Sequence, residues 1–276
     1  MLPQPLTLSE VNRPFRLLLY GTAGTGKTLL ASTAQDHKDL GNVLFLDTDD
    51  GLATINHRND IYTIKWDGAE IIEALANEFS KPVEKRIGVY SGIKTLVIDS
   101  VTTLKDRDLE DLKQAKVASD DGNKYLSYTE WNKMMDHVTT FIDRIAQTDI
   151  NLILIAEADF REDAGVQVVR PALNPALWRK IAHRMDYIWR CYERGGRYRI
   201  QLNNDNQYTG KTRNPLFVEA LASHNLAQAR EELGDKVNSL SPVDMSKIKN
   251  TFAIPSSDYP TLAVMYDMYL KAIADA

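Results

Sequence analysis

Gly21-Thr22-Ala23-Gly24-Thr25-Gly26-Lys27-Thr28 sets two glycines five residues apart and follows the second with a lysine and a hydroxyl. The stretch fits G-x-x-x-x-G-K-[ST], a pattern that carries chemistry only between a strand and a helix. Phe15 to Tyr20 reads as the strand and Leu29-Leu30-Ala31 as the start of the helix. The glycines let the backbone curl so that its N–H groups point inward at phosphate oxygens, and the helix adds its positive N-terminal end. Residues Gly21, Thr22, Ala23, Gly24, Thr25, Gly26, Lys27, Thr28 and Leu29 are therefore expected to cradle a triphosphate. Lys27 should reach the β- and γ-phosphates and Thr28 should bind Mg²⁺.

A metal at Thr28 calls for a carboxylate facing it. Thr95-Leu96-Val97-Ile98-Asp99-Ser100 supplies one, since an apolar strand ending in an acid delivers it at the C-terminal edge of a parallel sheet, beside such a loop. Alone, that pattern more often marks a turn; paired with the loop it becomes strong. Thr28 and Asp99 are the expected metal ligands, with ATP and Mg²⁺ as cofactors.

These groups need a frame. Apolar or β-branched runs recur at 15–20, 42–46, 61–64, 95–98, 152–156, 187–192 and 198–202, several without alternation, as in strands buried on both faces of a parallel sheet. Helical patterns lie between them. The clearest opens on Ser127-Tyr128-Thr129-Glu130, a capping box, and carries Trp131, Met134, Met135, Val138, Phe141, Ile142 and Ile145 on one face, which reads as core. An α/β fold with a mostly parallel sheet follows. Arg194-Gly195-Gly196-Arg197 joins two strands as a hairpin, so the sheet should finish with antiparallel strands. Beyond Pro215 the pattern is helical: 221–233, a segment capped by Ser241-Pro242 and running to Phe252, then 258–274. The expected organisation is a leader at 1–14, a nucleotide-binding core at 15–218 and a C-terminal helical appendage or packing layer at 219–276.

The 276 residues, 43% hydrophobic and 26% charged, suffice for one sizeable core. One cysteine excludes an internal disulfide framework, and neither a signal peptide nor a run of roughly 20 apolar residues is present. A reducing, cytoplasmic compartment is expected. Trp66, Trp131 and Trp189 read as core, and His57, His137 and His183 lack metal-ligand spacing.

Leu96-Val97-Ile98-Asp99-Ser100 followed by Val101-Thr102-Thr103-Leu104 resembles the second nucleotide motif of the RecA/RadA recombinase superfamily. Other stretches fall into that family's order across roughly residues 13 to 218. Val43 to Asp49 is similar to its strand bearing the catalytic carboxylate, with Asp49 where the family usually has glutamate. Ile153 to Glu157 resembles the strand whose last residue, usually glutamine, senses the γ-phosphate. Residues 160–174 and 119–125 stand where the family has two mobile DNA-binding loops. Gly210-Lys211-Thr212-Arg213 resembles the element that reaches a neighbouring subunit's ATP. The missing N-terminal domain resembles phage-encoded, core-only ATPases of the recombinase or annealing type, and a phage origin would place the protein in the host cytoplasm.

The resemblance implies Asp49 as the group orienting the attacking water, with Asp47 and Asp50 as possible substitutes, against the plainer reading of an acidic turn before Gly51. It implies Lys211 and Arg213 as positive charge supplied in trans, against two solvated charges in a loop. Glu157 either reports phosphate state or caps its strand. Residues 161 to 213 hold eleven Lys/Arg against five Asp/Glu on a chain of net charge -5, a local footprint suited to a phosphate backbone. Phe160, Trp178 and Tyr208 stand nearby for base stacking, and Arg161, Arg170 and Lys124 are the expected DNA contacts. The leading expectation is an ATPase, stimulated by DNA and by assembly, that self-associates into a ring or filament on single-stranded DNA and supports recombination or annealing. A single-strand binding protein is a further possible partner, and no membrane is expected. The alternatives are a ring translocase, packaging motor or helicase, a small-molecule kinase, and a nucleotide-switched binding module with little turnover.

Overall fold

The structure, a computed structural model, describes residues 14–119, 127–163, 165–204, 207–242, 245, 251–253 and 262–274. Six strands pair in parallel in the order β7-β1-β5-β4-β2-β3: β7 Tyr187–Arg194, β1 Arg16–Gly21, β5 Asn151–Asp163, β4 Thr95–Asp99, β2 Val43–Asp47 and β3 Tyr62–Lys65. Antiparallel pairing continues the sheet beyond β7 through β8 (Arg197–Gln201) to β10 (Thr251–Ala253), while β9 (Lys211–Thr212) pairs with the start of β7. The α/β fold with a mostly parallel sheet is as expected. So is the hairpin: Gly195 and Gly196 have φ of +66° and +75°, the left-handed pair that a tight two-residue turn demands.

The strands are apolar without alternation because both faces are covered. Leu18, Tyr20, Leu46, Ile98, Leu152 and Leu154 face α2 (Glu70–Phe79), α4 (Tyr128–Ala146) and α5 (Pro175–Arg184). Leu17, Leu19, Phe45, Val97, Ile153 and Trp189 face α1 (Lys27–Ser32), α6 (Pro215–Leu233) and α7 (Leu262–Ala274).

Where it is described, the tail packs on the sheet. Phe217 of α6 stacks on Trp189 with ring centroids 5.9 Å apart, Leu262 and Met265 of α7 are buried, and the Leu262 amide donates to Thr33 Oγ1 at 2.8 Å. The expected boundary at 218/219 falls inside α6. Phe252, placed at a helix end by the sequence, instead pairs with Ile200 in β10, because the edge of β8 offers ladder partners that local propensity does not register. Trp131 is 40% exposed and not core; among the described side chains of α4, those buried against the sheet run from Val138 to Ile145, and the side chains of Met134 and Met135 lie outside the described ones.

α3 (Val101–Ser119) and α4 are joined by an ion pair. His137 Nδ1 donates to Asp108 Oδ1 at 2.8 Å, Asp108 is 1% exposed, and Glu73 Oε1 lies 3.9 Å from Nε2. The bond to Asp108 holds the imidazolium above its ordinary 6.5, against the opposing pull of partial burial. A raised folded value means the stabilisation is complete below 6.5 and is lost as pH rises through the folded value. His137→Gln, which keeps a donor but no charge, should therefore melt below the wild type in acid, with the gap closing in alkali. A gap independent of pH would show that charge plays no part.

Candidate functional site

Register brings the predicted site together at one edge of the sheet. Asp47 of β2 stands beside Asp99 of β4, Asp99 beside Ile155 of β5, and Glu157, two residues further along, beside Gly21 of β1. Two neighbouring strands thus end in acids, and a third carries one at the same level, beside the strand that enters the glycine loop.

The loop is shaped by its glycines. Gly24 and Gly26 have φ of +75° and +78°, and a Cβ on Gly21 would come within 2.2 Å of the Cys191 carbonyl oxygen. The ring of Tyr198, on β8, lies against the loop, its Cδ1 3.7 Å from where a Cβ on Gly26 would sit, an ordinary contact. α1 then starts at Lys27, and the Leu30 amide donates to the Gly26 carbonyl at 2.8 Å. Lys27 Nζ folds back over the loop and donates to the carbonyls of Gly21 and Thr22 at 2.9 Å each. Burial lowers its pKa, opposed by Cys191, Asp99, Glu157 and Asp49.

Thr28 Oγ1 donates to Asp99 Oδ2 at 2.6 Å. Asp99 is 4% exposed, and burial pushes its carboxyl up to about 6, with Asp49 and Asp47 adding to the rise. A hydroxyl and a desolvated acid side by side, with further acids close by, fit a divalent cation, which would supply the positive charge that the group lacks. Thr28 and Asp99 would hold Mg²⁺, whose chemistry is to bridge phosphate oxygens and offset their charge.

Asp49 lies at this edge and is exposed. Its Oδ1 accepts from the Gly51 amide at 3.1 Å, a bond that the amide shares with Asp47 Oδ1 at 3.2 Å. Burial and then Asp47 raise its pKa. The three acids are not interchangeable. Asp50, at φ +59°, is exposed but tied to Lys65 at 2.8 Å, and Asp47 is 4% exposed, which leaves Asp49 as the exposed carboxylate that makes no ion pair among the described residues. Glu157 is exposed at the loop's flank. Its amide donates to Thr102 Oγ1 at 3.1 Å and its carbonyl accepts from Ala172 at 2.8 Å.

The remaining expectations are redistributed. Lys211 and Arg213 lie towards the opposite edge of the sheet, since Thr212 pairs with Tyr187 and Tyr187 with Leu17 near the start of β1. Lys211 Nζ caps the end of α5 through the carbonyls of Ala182 and Met185 at 2.6 Å each, and Arg213 pairs with Asp186 at 2.8 Å. Within the chain both are structural, because helix-end carbonyls and an aspartate attract cations. Residues 160–174 are not an open loop. β5 runs on past Glu157 to Asp163 and returns as β6 (Val166–Pro171), forming a hairpin. It presents Phe160, 50% exposed, and Arg161, whose Nε donates to Asp159 Oδ2, while Arg170 stands opposite Asp159 in register. Lys124 and most of 119–125 lie outside the described residues.

Sequence reasoning missed the clasp that sets the acids. Thr48 Oγ1 accepts from the Ser100 amide at 2.8 Å and donates to the Ser100 carbonyl at 2.9 Å, while the Thr48 amide donates to the Asp99 carbonyl at 2.8 Å. These bonds fix the end of β2 to the end of β4. Only the hydroxyl after Asp47 hinted at it.

A strand, a glycine loop, a helix N-terminus, a Lys-Thr pair and an acid touching the threonine define a P-loop nucleoside triphosphatase. The family comparison narrows this class. A family model described as an AAA domain matches residues 13–214, and the chain belongs to that family. No curated protein matches the chain. Among the described residues no helix is long and apolar enough to cross a membrane.

Proposed function

We propose that the protein is an ATP- and Mg²⁺-dependent ATPase that assembles head-to-tail on single-stranded DNA and supports recombination or annealing. The observation that carries this reading is the hairpin of β5 and β6, which continues directly from the strand ending beside the phosphate loop and holds an exposed phenylalanine and arginines. The arm itself is not basic, since Arg161 and Arg170 stand among Asp159, Glu162 and Asp163. Its exposed aromatic and arginines are nonetheless groups that stack on bases and meet phosphates, and β5 couples what they touch to the nucleotide site through one strand. Repeated head-to-tail contact yields a ring or a filament according to whether the rotation closes. The test is ATP hydrolysis with and without single-stranded DNA, with negative-stain imaging in a slowly hydrolysed ATP analogue. Neither stimulation nor assembly would end the proposal.

A second reading, a nucleotide-switched binding module with low turnover, is favoured by the length of Asp49. Its carboxylate is drawn to Gly51 and is one methylene shorter than a glutamate at the same place. Asp49→Glu should raise hydrolysis, by up to about tenfold if reach alone limits the rate, and Asp49→Asn should lower it by roughly 10²-fold. Equal rates in all three proteins would remove Asp49 from the chemistry.

A further inference from the structure

The loop has a second side. A cavity of about 290 Å³ lies between loop residues 22–25, Phe160 and Val169 of the hairpin, and Arg190 and Tyr192 of β7. Neither Lys27, Thr28 nor Asp99 lines it. Its size, at the lower limit of ordinary ligand pockets, suits one pyrimidine nucleotide.

Two of its residues, Arg190 and Phe160, offer groups that the fold leaves available. The Arg190 guanidinium lies 3.7 Å from the Tyr208 ring centroid and 4.7 Å from that of Tyr192. Stacking uses the flat faces of the guanidinium and leaves its N–H donors in the plane for a ligand. Among the described residues the Arg190 guanidinium makes no hydrogen bond or ion pair, whereas those of Arg16, Arg58, Arg86, Arg184 and Arg213 all do. Phe160, half exposed, gains little from folding. Glu193 also lines the cavity, but its carboxylate accepts from the Gly196 amide in the hairpin turn.

We infer that this cavity binds one nucleotide unit, with a phosphoryl oxygen on Arg190 and the base stacked on Phe160. A phosphate monoester of a free mononucleotide and a phosphodiester of a single strand offer the same chemistry; only the strand as source rests on the proposed function above. Residues 22–25 form one wall here and the phosphate cradle on their other side, so occupancy should change ATP affinity, and ATP should change occupancy by the same factor.

The test uses the whole chain with its phosphate loop saturated by a slowly hydrolysed ATP analogue and Mg²⁺. Binding of a thymidine oligonucleotide and of thymidine monophosphate is measured for wild type, Phe160→Ala, Phe160→Trp and Arg190→Gln, with melting curves to confirm folding. Phe160→Ala should weaken binding about tenfold or more, and Phe160→Trp should restore it with a change in fluorescence. Arg190→Gln should reduce the salt dependence of strand binding by about one counterion. Monophosphate binding without strand binding would support the cavity and overturn the single-strand reading. Strand binding left intact in folded Phe160→Ala and Arg190→Gln proteins would overturn the cavity and spare that reading. A wild type that binds neither would overturn both.

Discussion

Lys27→Ala is expected to lower kcat/KM for ATP by at least about 10²-fold while leaving the melting temperature nearly unchanged. The first half follows from position. Lys27 is the first residue of α1 and the cation nearest the loop's carbonyls, and loss of one charged donor aimed at developing negative charge costs about 10²–10³ in rate. The second half follows from what the ammonium does without nucleotide. Its two bonds go to main-chain carbonyls at a part-buried to exposed site, where net hydrogen-bond contributions are of the order of 1 kcal/mol and water can take the donor's place. Phosphate binding must break these bonds, so the lysine exchanges two neutral acceptors for charged ones. Hydrolysis undiminished in a folded Lys27→Ala protein would refute the phosphate-loop assignment. A parallel fall in melting temperature would instead mean that the lysine holds the loop's shape.

The loop was legible in the sequence because its constraints are local: glycine at positive φ, a lysine and a hydroxyl at the head of a helix. Asp99 was legible because a doubly buried strand reads as a continuous apolar run, and parallel packing delivers its last residue to the same edge as the loop. What escaped depends on contacts between distant segments. Asp49 is set apart from Asp50 chiefly by Lys65, fifteen residues beyond Asp50, and the Thr48–Ser100 clasp spans fifty-two. Lys211 and Arg213 are ordinary loop cations in sequence; the end of α5, which fixes them in this chain, lies about thirty residues earlier. The hairpin hid because Val166 to Pro171 is short and half exposed and has strand character only beside β5. The tail showed its helices but not their partners, since Phe217 and Met265 become core only against Trp189 and its neighbours.

Asp99→Asn should separate stability from activity. The carboxylate is 4% exposed, shares its edge with Asp49 and Asp47, and has one hydroxyl donor, Thr28. Its folded pKa of about 6 lies above the ordinary 3.8, so its contribution favours the folded state in acid and turns against it as pH rises from 3.8 through 6. A rise of that size corresponds to a cost on the order of a few kcal/mol at neutral pH. Asparagine keeps an acceptor for Thr28 and carries no charge. The variant free of metal and nucleotide should therefore melt above the wild type at neutral pH, with the advantage shrinking as pH falls below 6. With Mg²⁺ and ATP the order reverses: the wild type gains from a cation held between Thr28 and Asp99, the variant gains less, and its hydrolysis should drop by roughly 10²-fold or more. A variant less stable than the wild type at neutral pH without ligand would show that Asp99 is satisfied in the folded chain and has no need of a cation. Hydrolysis at the wild-type rate would place the metal on other ligands.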